Sequence, residues 1–192
     1  HLELGGFVKS DKSYNHPNLQ FHFFPYLVIN HGLENSKFEA FQFHVCPNRP
    51  KSRGFVKIKT NNYKDDPKIQ FNYLKHKDDL KQMREGVKIA KNILSQKSLE
   101  EYVGVEIRPG KNVSNQTELD EIIKNTSESA YHPSCTNKMG EDITSVVDQS
   151  LKVHGIKNLR VVDASVMPDI VSANLNATTI MIAEKAYDQI KS

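Results

Sequence analysis

The hydrophobic period changes once along this chain, near residue 75, and that change restricts the possible folds more than any other feature. Before it, four short segments rich in aromatic and β-branched residues follow one another with no helical pattern between them. They are "LQFHFFPYLVIN" at 19–30, "AFQFHVC" at 40–46, "SRGFVKIKT" at 52–60 and "KIQFNYL" at 68–74. In the third, Val56, Ile58 and Thr60 share one face and Lys57 and Lys59 the other, which is the two-residue period of a strand. Pro25 interrupts or edges the first segment, Gly54 marks a turn in the third, and "KDDP" precedes the fourth. Strands so close together, without crossover helices, predict an antiparallel sheet. After residue 75, Leu80, Met83, Val87, Ala90, Ile93 and Leu94 recur at helical spacing over 78–96, an amphipathic helix of about five turns.

Further on, "SLEEY" reads as a short turn and "RPG" at 108–110 as a breaker. A second helix is predicted to start near Thr117, capped by it with Asp120 in capping-box position, and to bury Leu119, Ile122 and Ile123. The apolar run Leu159 to Val162 reads as a buried strand that ends on Asp163-Ala164-Ser165. A loop then feeds "NLNATT", which opens a strongly apolar helix over about 176–190, with Met181 and Ile182 expected in its core. No internal repeat or low-complexity tract appears. The fold class is therefore α+β, with a boundary placed near 126. Residues 1–125 form an antiparallel sheet with flanking helices, and 126–192 a strand–loop–helix segment.

Composition excludes several functions. Hydrophobic residues make up 38% and charged residues 26% of the 192, which a globular core needs and a disordered chain lacks. The net charge of +3 is spread among acidic residues, without the concentrated basic face that nucleic acid would require. Cys46 and Cys135 lie far apart and suggest no disulfide framework, so a reducing, cytoplasmic setting is the simpler expectation. No apolar run approaches the roughly 20 residues of a membrane span, and no signal peptide opens the chain. The chain begins on His1 rather than Met, which reads as a piece of something longer, and the sequons at Asn112, Asn115 and Asn125 carry little weight.

Two segments carry the chemistry. In "SAYHPSCTNKMG" at 129–140, His132 leads a loop that closes with Met139-Gly140, and "LKVHGIKNLRVVDASVMP" at 151–168 is followed by "NLNATTIMIAEK" at 174–185. Together with "NHPNLQFHFFP", "PNRPKSRGFVKIKT" and "FNYL" upstream, these resemble the C-terminal part of the glucose–methanol–choline oxidoreductases, and most of all the choline-type subgroup. The resemblance runs over nearly the whole chain but over only the last portion of such an enzyme. The Gly-x-Gly-x-x-Gly turn that cradles a dinucleotide pyrophosphate is absent, so an N-terminal Rossmann-like part must come from elsewhere. Three positions depart from the subgroup's pattern: Asn137 where cysteine is usual, Gln149 where proline is common, and Ala173 where glycine is frequent. None removes a group the chemistry needs.

The resemblance implies FAD-dependent oxidation of a primary alcohol, choline to betaine aldehyde, with electrons passed to a respiratory acceptor rather than to oxygen. It implies that 126–192 completes an FAD-binding domain and that a membrane's inner face is one place such an enzyme works. It makes His132 the base and Asn176 its polar partner on the alcohol oxygen. It sets Asp163 and Ala164 beside the ribityl and phosphate portion of the cofactor, and the backbone N–H groups near Asn176, Ala177 and Thr178 against the flavin ring. The other partners it implies are the alcohol substrate and the missing N-terminal part.

Plainer readings stand beside these. Without its motif His132 would be a structural histidine. Asp163 is equally an ordinary turn residue, and Asn176 a helix N-cap, or both cap and ligand. Arg49 either touches substrate or pairs with an acidic neighbour. His22, His31, His44, His76 and His154 are expected to be structural or on the surface. His132 with Cys135, or His44 with Cys46, would make half a zinc site, but neither has a second pair, so no metal is expected. No Gly-x-Ser-x-Gly elbow supports a hydrolase. With no Trp, and with nine Phe and seven Tyr that cannot be assigned to a cage for a quaternary ammonium, the substrate stays open to another alcohol. The rival from a different class is a catalytically silent fragment acting as a scaffold or partner-binding domain.

Overall fold

A computed structural model of the chain describes residues 4–29, 34, 36, 38–110 and 113–191. The expectations for His31 and Asn112, and for the end of the first strand at Asn30, lie outside the described residues. The chain forms two compact units, one from His1–Ser52 and Asn72–Glu128, the other from Arg53–Phe71 and Ser129–Ser192. Sequence spacing puts residues 53–71 with the first unit; by its contacts that hairpin belongs to the second.

In the first unit, β1 (Leu4–Val8), β2 (Leu19–Phe24) and β3 (Gln42–Pro47) make an antiparallel sheet in the order β1-β2-β3. β1 is not legible in the sequence, because "LGGFV" holds two glycines and too few apolar residues to show a period. The other two strands alternate as their pattern predicts. Leu19, Phe21 and Phe23 share a face with Val45 and Phe43, and the Phe21 and Phe43 rings stack at 4.9 Å. Leu19 and Phe21 are buried.

Helix α1 (Lys77–Leu94) covers that face, burying Leu80, Asp79, Gln82 and Gly86. A Cβ on Gly86 would lie 2.6 Å from Val45 Cγ2, so helix and strand meet where only a glycine fits. His76 caps α1 through Nδ1, which accepts from the Asp78 N–H at 3.2 Å. Asn18 Nδ2 donates to Gln82 Oε1 at 2.8 Å, bonding the loop before β2 to the buried side of α1.

Helix α2 (Gln116–Thr126) packs on α1, with Ile123 buried and the Arg84 guanidinium 2.6 Å from Asp120. Its cap is Asn115 rather than Thr117. Asn115 Oδ1 accepts from the Glu118 N–H at 3.0 Å, and the Glu118 carboxylate accepts from the Ser114 N–H at 2.9 Å. The capping box therefore lies two residues upstream of the sequence reading, with the preferred glutamate in place. Asp120 is freed for Arg84.

In the second unit, β4 (Phe55–Lys57) and β5 (Lys68–Gln70) form a separate two-stranded antiparallel sheet. The four predicted strands thus divide between two sheets. Gly54 sits where the chain cannot spare a side chain: its Cβ would fall 2.1 Å from the Gln70 carbonyl oxygen and 2.8 Å from that of Phe71. Gly54→Ala is therefore expected to cost about 3 kcal/mol and to unprotect the β4–β5 amides in hydrogen exchange. Gly104→Ala, where nothing lies within 4 Å, is the control and should change little.

The core of the second unit gathers Val147, Leu151, Val166, Met167, Leu175, Ile182 and Ala186. Leu159 to Val162 does not form the predicted strand. It makes one bridge, Lys152 with Arg160, and Leu159 is 46% exposed. Its apolar residues are right for a strand, but among the described residues its pairing with 151–153 stops at that one bridge. A short 3-10 turn (Ala164–Val166) follows, then helix α3 (Asn176–Lys191). Ile182 is buried as expected; Met181 is not, at 54% exposed. Ile180, Met181 and Tyr187 face outward on α3, away from the stripe that meets the core, and Ile190, at the end of that stripe, is also exposed. Among the described residues, no helix is long and apolar enough to cross a membrane.

Candidate functional site

The two sequence motifs meet in the second unit. From Cys135 to Met139 the histidine loop runs beside the 3-10 turn. Cys135 N–H donates to the Ala164 carbonyl at 3.3 Å, Asn137 N–H to Ser165 at 2.9 Å, and Met139 N–H to Val166 at 2.8 Å. Three bonds at alternate residues set the register of one motif against the other. Beyond Met139, the Gly140 N–H donates to the Val147 carbonyl at 3.0 Å, and the Val146 N–H to Lys138 at 3.0 Å. Asp142 fastens this corner. Hydrogen bonds from the Thr144 hydroxyl, Lys138, the Thr144 N–H and Ser145 hold its carboxyl well below the usual carboxylate range.

The loop takes two left-handed residues that are not glycine, Tyr131 at φ 59° and Cys135 at φ 70°. Conformations of this kind are costly and persist where the surroundings impose them, often beside working groups. Ser129 Oγ accepts from the Tyr131 N–H at 2.9 Å and helps to hold the turn. The effect is to carry His132, half-buried, to the opening of α3.

There the structure departs from the sequence reading. The carboxamide that reaches His132 is Asn174, whose Nδ2 lies 2.8 Å from the imidazole Nε2. Asn176 is the first residue of α3 and is exposed, so its side chain is neither the bonded partner of His132 nor an N-cap. An amide nitrogen can only donate, so Nε2 accepts and the neutral ring carries its proton on Nδ1. The signal for Asn174 lies in "NLNATT", which offers two asparagines two residues apart. Only the helix start decides between them: Asn174 lies in the loop before α3, with buried Leu175 between the two.

Asp163 acts as the turn residue of the plainer reading. Its Oδ1 accepts from the Ser165 N–H at 2.7 Å and from the Ser165 hydroxyl, capping the 3-10 turn. Ala164 is half-buried against the unit's core. At the start of α3, Leu175 accepts from Thr179, so the N–H groups of Asn176, Ala177 and Thr178 have no partner within the helix. Asn176 and Ala177 are exposed, and the first turn carries no acidic residue. These donors are therefore available to an anionic group.

Among the other described histidines, two have local partners. His76 is a cap, and His154 Nε2 lies 3.0 Å from the Gly140 carbonyl oxygen. In the first unit, burial chiefly, and then His22, lower the pKa of His44. Arg49 is exposed. Among the described residues, no three His, Cys, Asp or Glu side chains gather as metal ligands, and both cysteines are free.

Comparison with known proteins adds the following. Residues 50–183 match the model of the GMC oxidoreductase C-terminal region. The chain is 49% identical to the human mitochondrial choline dehydrogenase over 193 residues, covering 100% of this chain and 32% of that protein. Among solved structures, it resembles pyridoxine 4-oxidase from Mesorbium loti at a TM-score of 0.89 and 26% identity, over 98% of this chain and 38% of that one. It resembles an Aspergillus oryzae formate oxidase, a protein studied for the modification of its FAD, at 0.87 and 26%, over 99% and 38%. The chain thus spans about a third of the length of the curated relative it matches.

Proposed function

Because the chain belongs to the GMC oxidoreductase family, we propose that it works as the C-terminal part of an FAD-dependent alcohol dehydrogenase whose substrate is choline. The observation that carries this reading is the 2.8 Å contact between His132 Nε2 and Asn174 Nδ2 beside the open start of α3. The first-turn donors fit the electron-rich edge of a flavin, and Asp163 and Ala164 edge the same motif. Bound FAD supplies the hydride acceptor.

The chain's own residues do the rest. An alcohol oxygen placed between the two side-chain tips accepts from Asn174 Nδ2 and donates to His132 Nε2, taking over both halves of the bond they make with each other. His132 then holds the hydroxyl proton, and Asn174 stabilises the negative oxygen without titrating. The α3 N–H groups of Asn176, Ala177 and Thr178 place partial positive charge where negative charge gathers. The outward apolar residues of α3, and the exposed Leu159 segment with its single bridge, suit a surface that the rest of the enzyme covers.

The test is reconstitution of the chain with the N-terminal two-thirds of the human relative. The expected result is a flavin spectrum that bleaches when choline is added without oxygen. Asn174→Ala should slow that bleaching about 100-fold, and Asn176→Ala much less. A reconstituted pair that takes up no flavin would favour the scaffold reading. Bleaching by another primary alcohol but not by choline would reassign the substrate.

A further inference from the structure

Asn137 makes a side-chain hydrogen bond between the two motif segments that the site chemistry above leaves unused. Its Nδ2 donates to Ser165 Oγ at 3.0 Å, in a half-buried setting. The Ser165 hydroxyl in turn donates to Asp163 Oδ1. The direction of this chain of bonds is forced. A serine hydroxyl has one proton and the carboxylate can only accept, so that proton points to Asp163. Ser165 Oγ is then an acceptor towards Asn137, and only the amide nitrogen, not the amide oxygen, can face it.

We propose that Asn137 is a positioning residue: through Ser165 it couples the loop that carries His132 to the Asp163 turn, so that the base and the cofactor-facing turn hold one geometry. The proposal rests on the reading of the site given above. The backbone bonds from Cys135, Asn137 and Met139 set the register of the loop, but they bind only main chain. The Asn137 relay is what reaches a charged side chain, and charge-assisted bonds in a chain reinforce one another. This is also one of the three positions at which the sequence departs from the choline-type pattern. A cysteine thiol there is a weak donor and would not make this bond as strongly.

The experiment uses a double-mutant cycle of Asn137→Leu and Ser165→Ala, read in two ways. In the reconstituted enzyme, each single variant should lower kcat about tenfold with KM for the alcohol nearly unchanged, and the double variant should fall no further. In the chain alone, Asn137→Leu should speed hydrogen exchange at the Ser165 N–H about tenfold, and leave unchanged the His154 N–H, which bonds Val146 elsewhere in the same unit. Asn137→Gln, which keeps the amide but lengthens its reach, should recover part of the kcat. Additive losses, or an unchanged kcat with slower-folding variants, would reduce Asn137 to an ordinary surface contact. The exchange measurement needs no flavin, so a failure of reconstitution overturns the proposed function without touching the coupling.

Discussion

His132→Ala, in the reconstituted enzyme, is expected to lower turnover by about 10² to 10⁴-fold while flavin stays bound. The size follows from the role. A positioned base removes the hydroxyl proton as the carbon–hydrogen bond breaks, and without it the alcohol must lose that proton to water. The side chain is half-buried and reaches outward to Asn174, not into the core of the second unit, so its loss should leave the fold intact. Stopped-flow reduction of the flavin by substrate is the direct measurement, with the visible spectrum confirming occupancy. His132→Gln keeps the hydrogen bond to Asn174 but cannot take a proton, and it should be nearly as slow as alanine. If glutamine restored the rate, positioning rather than proton transfer would be the contribution of His132. If alanine left the rate unchanged, the base would have to be sought on another segment.

Much of this geometry was open to reading from the residues, and the misses have physical causes. The aromatic and β-branched segments at 19–30 and 40–46 and the helical spacing over 78–96 point to elements that the structure forms at Leu19–Phe24, Gln42–Pro47 and Lys77–Leu94. The cap of α2 lies two residues before Thr117, which is a good cap by type. The choice fell to Asn115 because Glu118, three residues on, can reach back to Ser114. Hydrophobicity alone would put Met181 in the core, yet it is exposed. On α3, apolar residues occupy both the stripe at Ile182 and Ala186 and the other side at Ile180, Met181 and Tyr187. Composition cannot tell which stripe this chain covers. The same limit explains Leu159 to Val162, whose pattern is that of a strand but whose ladder is not made here. At the site, the motif points to His132 with Asn176, and in the structure the asparagine bonded to the imidazole is Asn174. The two asparagines of "NLNATT" are alike in the sequence, since only coordinates show where α3 begins relative to the loop that feeds it.

Asp79→Ala should destabilise the first unit by about 3–5 kcal/mol, the largest stability effect expected of any single truncation in that unit. Asp79 is 1% exposed, in the first turn of α1. Its two oxygens accept from the Lys51 N–H at 2.7 Å, the Ser52 N–H at 2.8 Å and the Ser52 hydroxyl. The Ser52 oxygen accepts in turn from the His76 N–H at 3.0 Å, so one carboxylate closes the segment after β3 onto the start of the helix. Alanine would leave two backbone donors and a hydroxyl facing a dry gap, each costing about 1–3 kcal/mol before relaxation. Asp79→Asn keeps the shape but turns an N–H₂ toward other donors, and it should lie between alanine and the native residue. The neighbouring Asp78 is the control. Its pair with Lys51 at 2.6 Å is solvent-exposed, so Asp78→Ala should have only a small effect. Urea unfolding followed by helical circular dichroism measures all three, since α1 and α2 both belong to this unit. An Asp79→Ala loss no larger than that of Asp78→Ala would mean that water replaces the carboxylate, and that the junction is wetter than its burial implies.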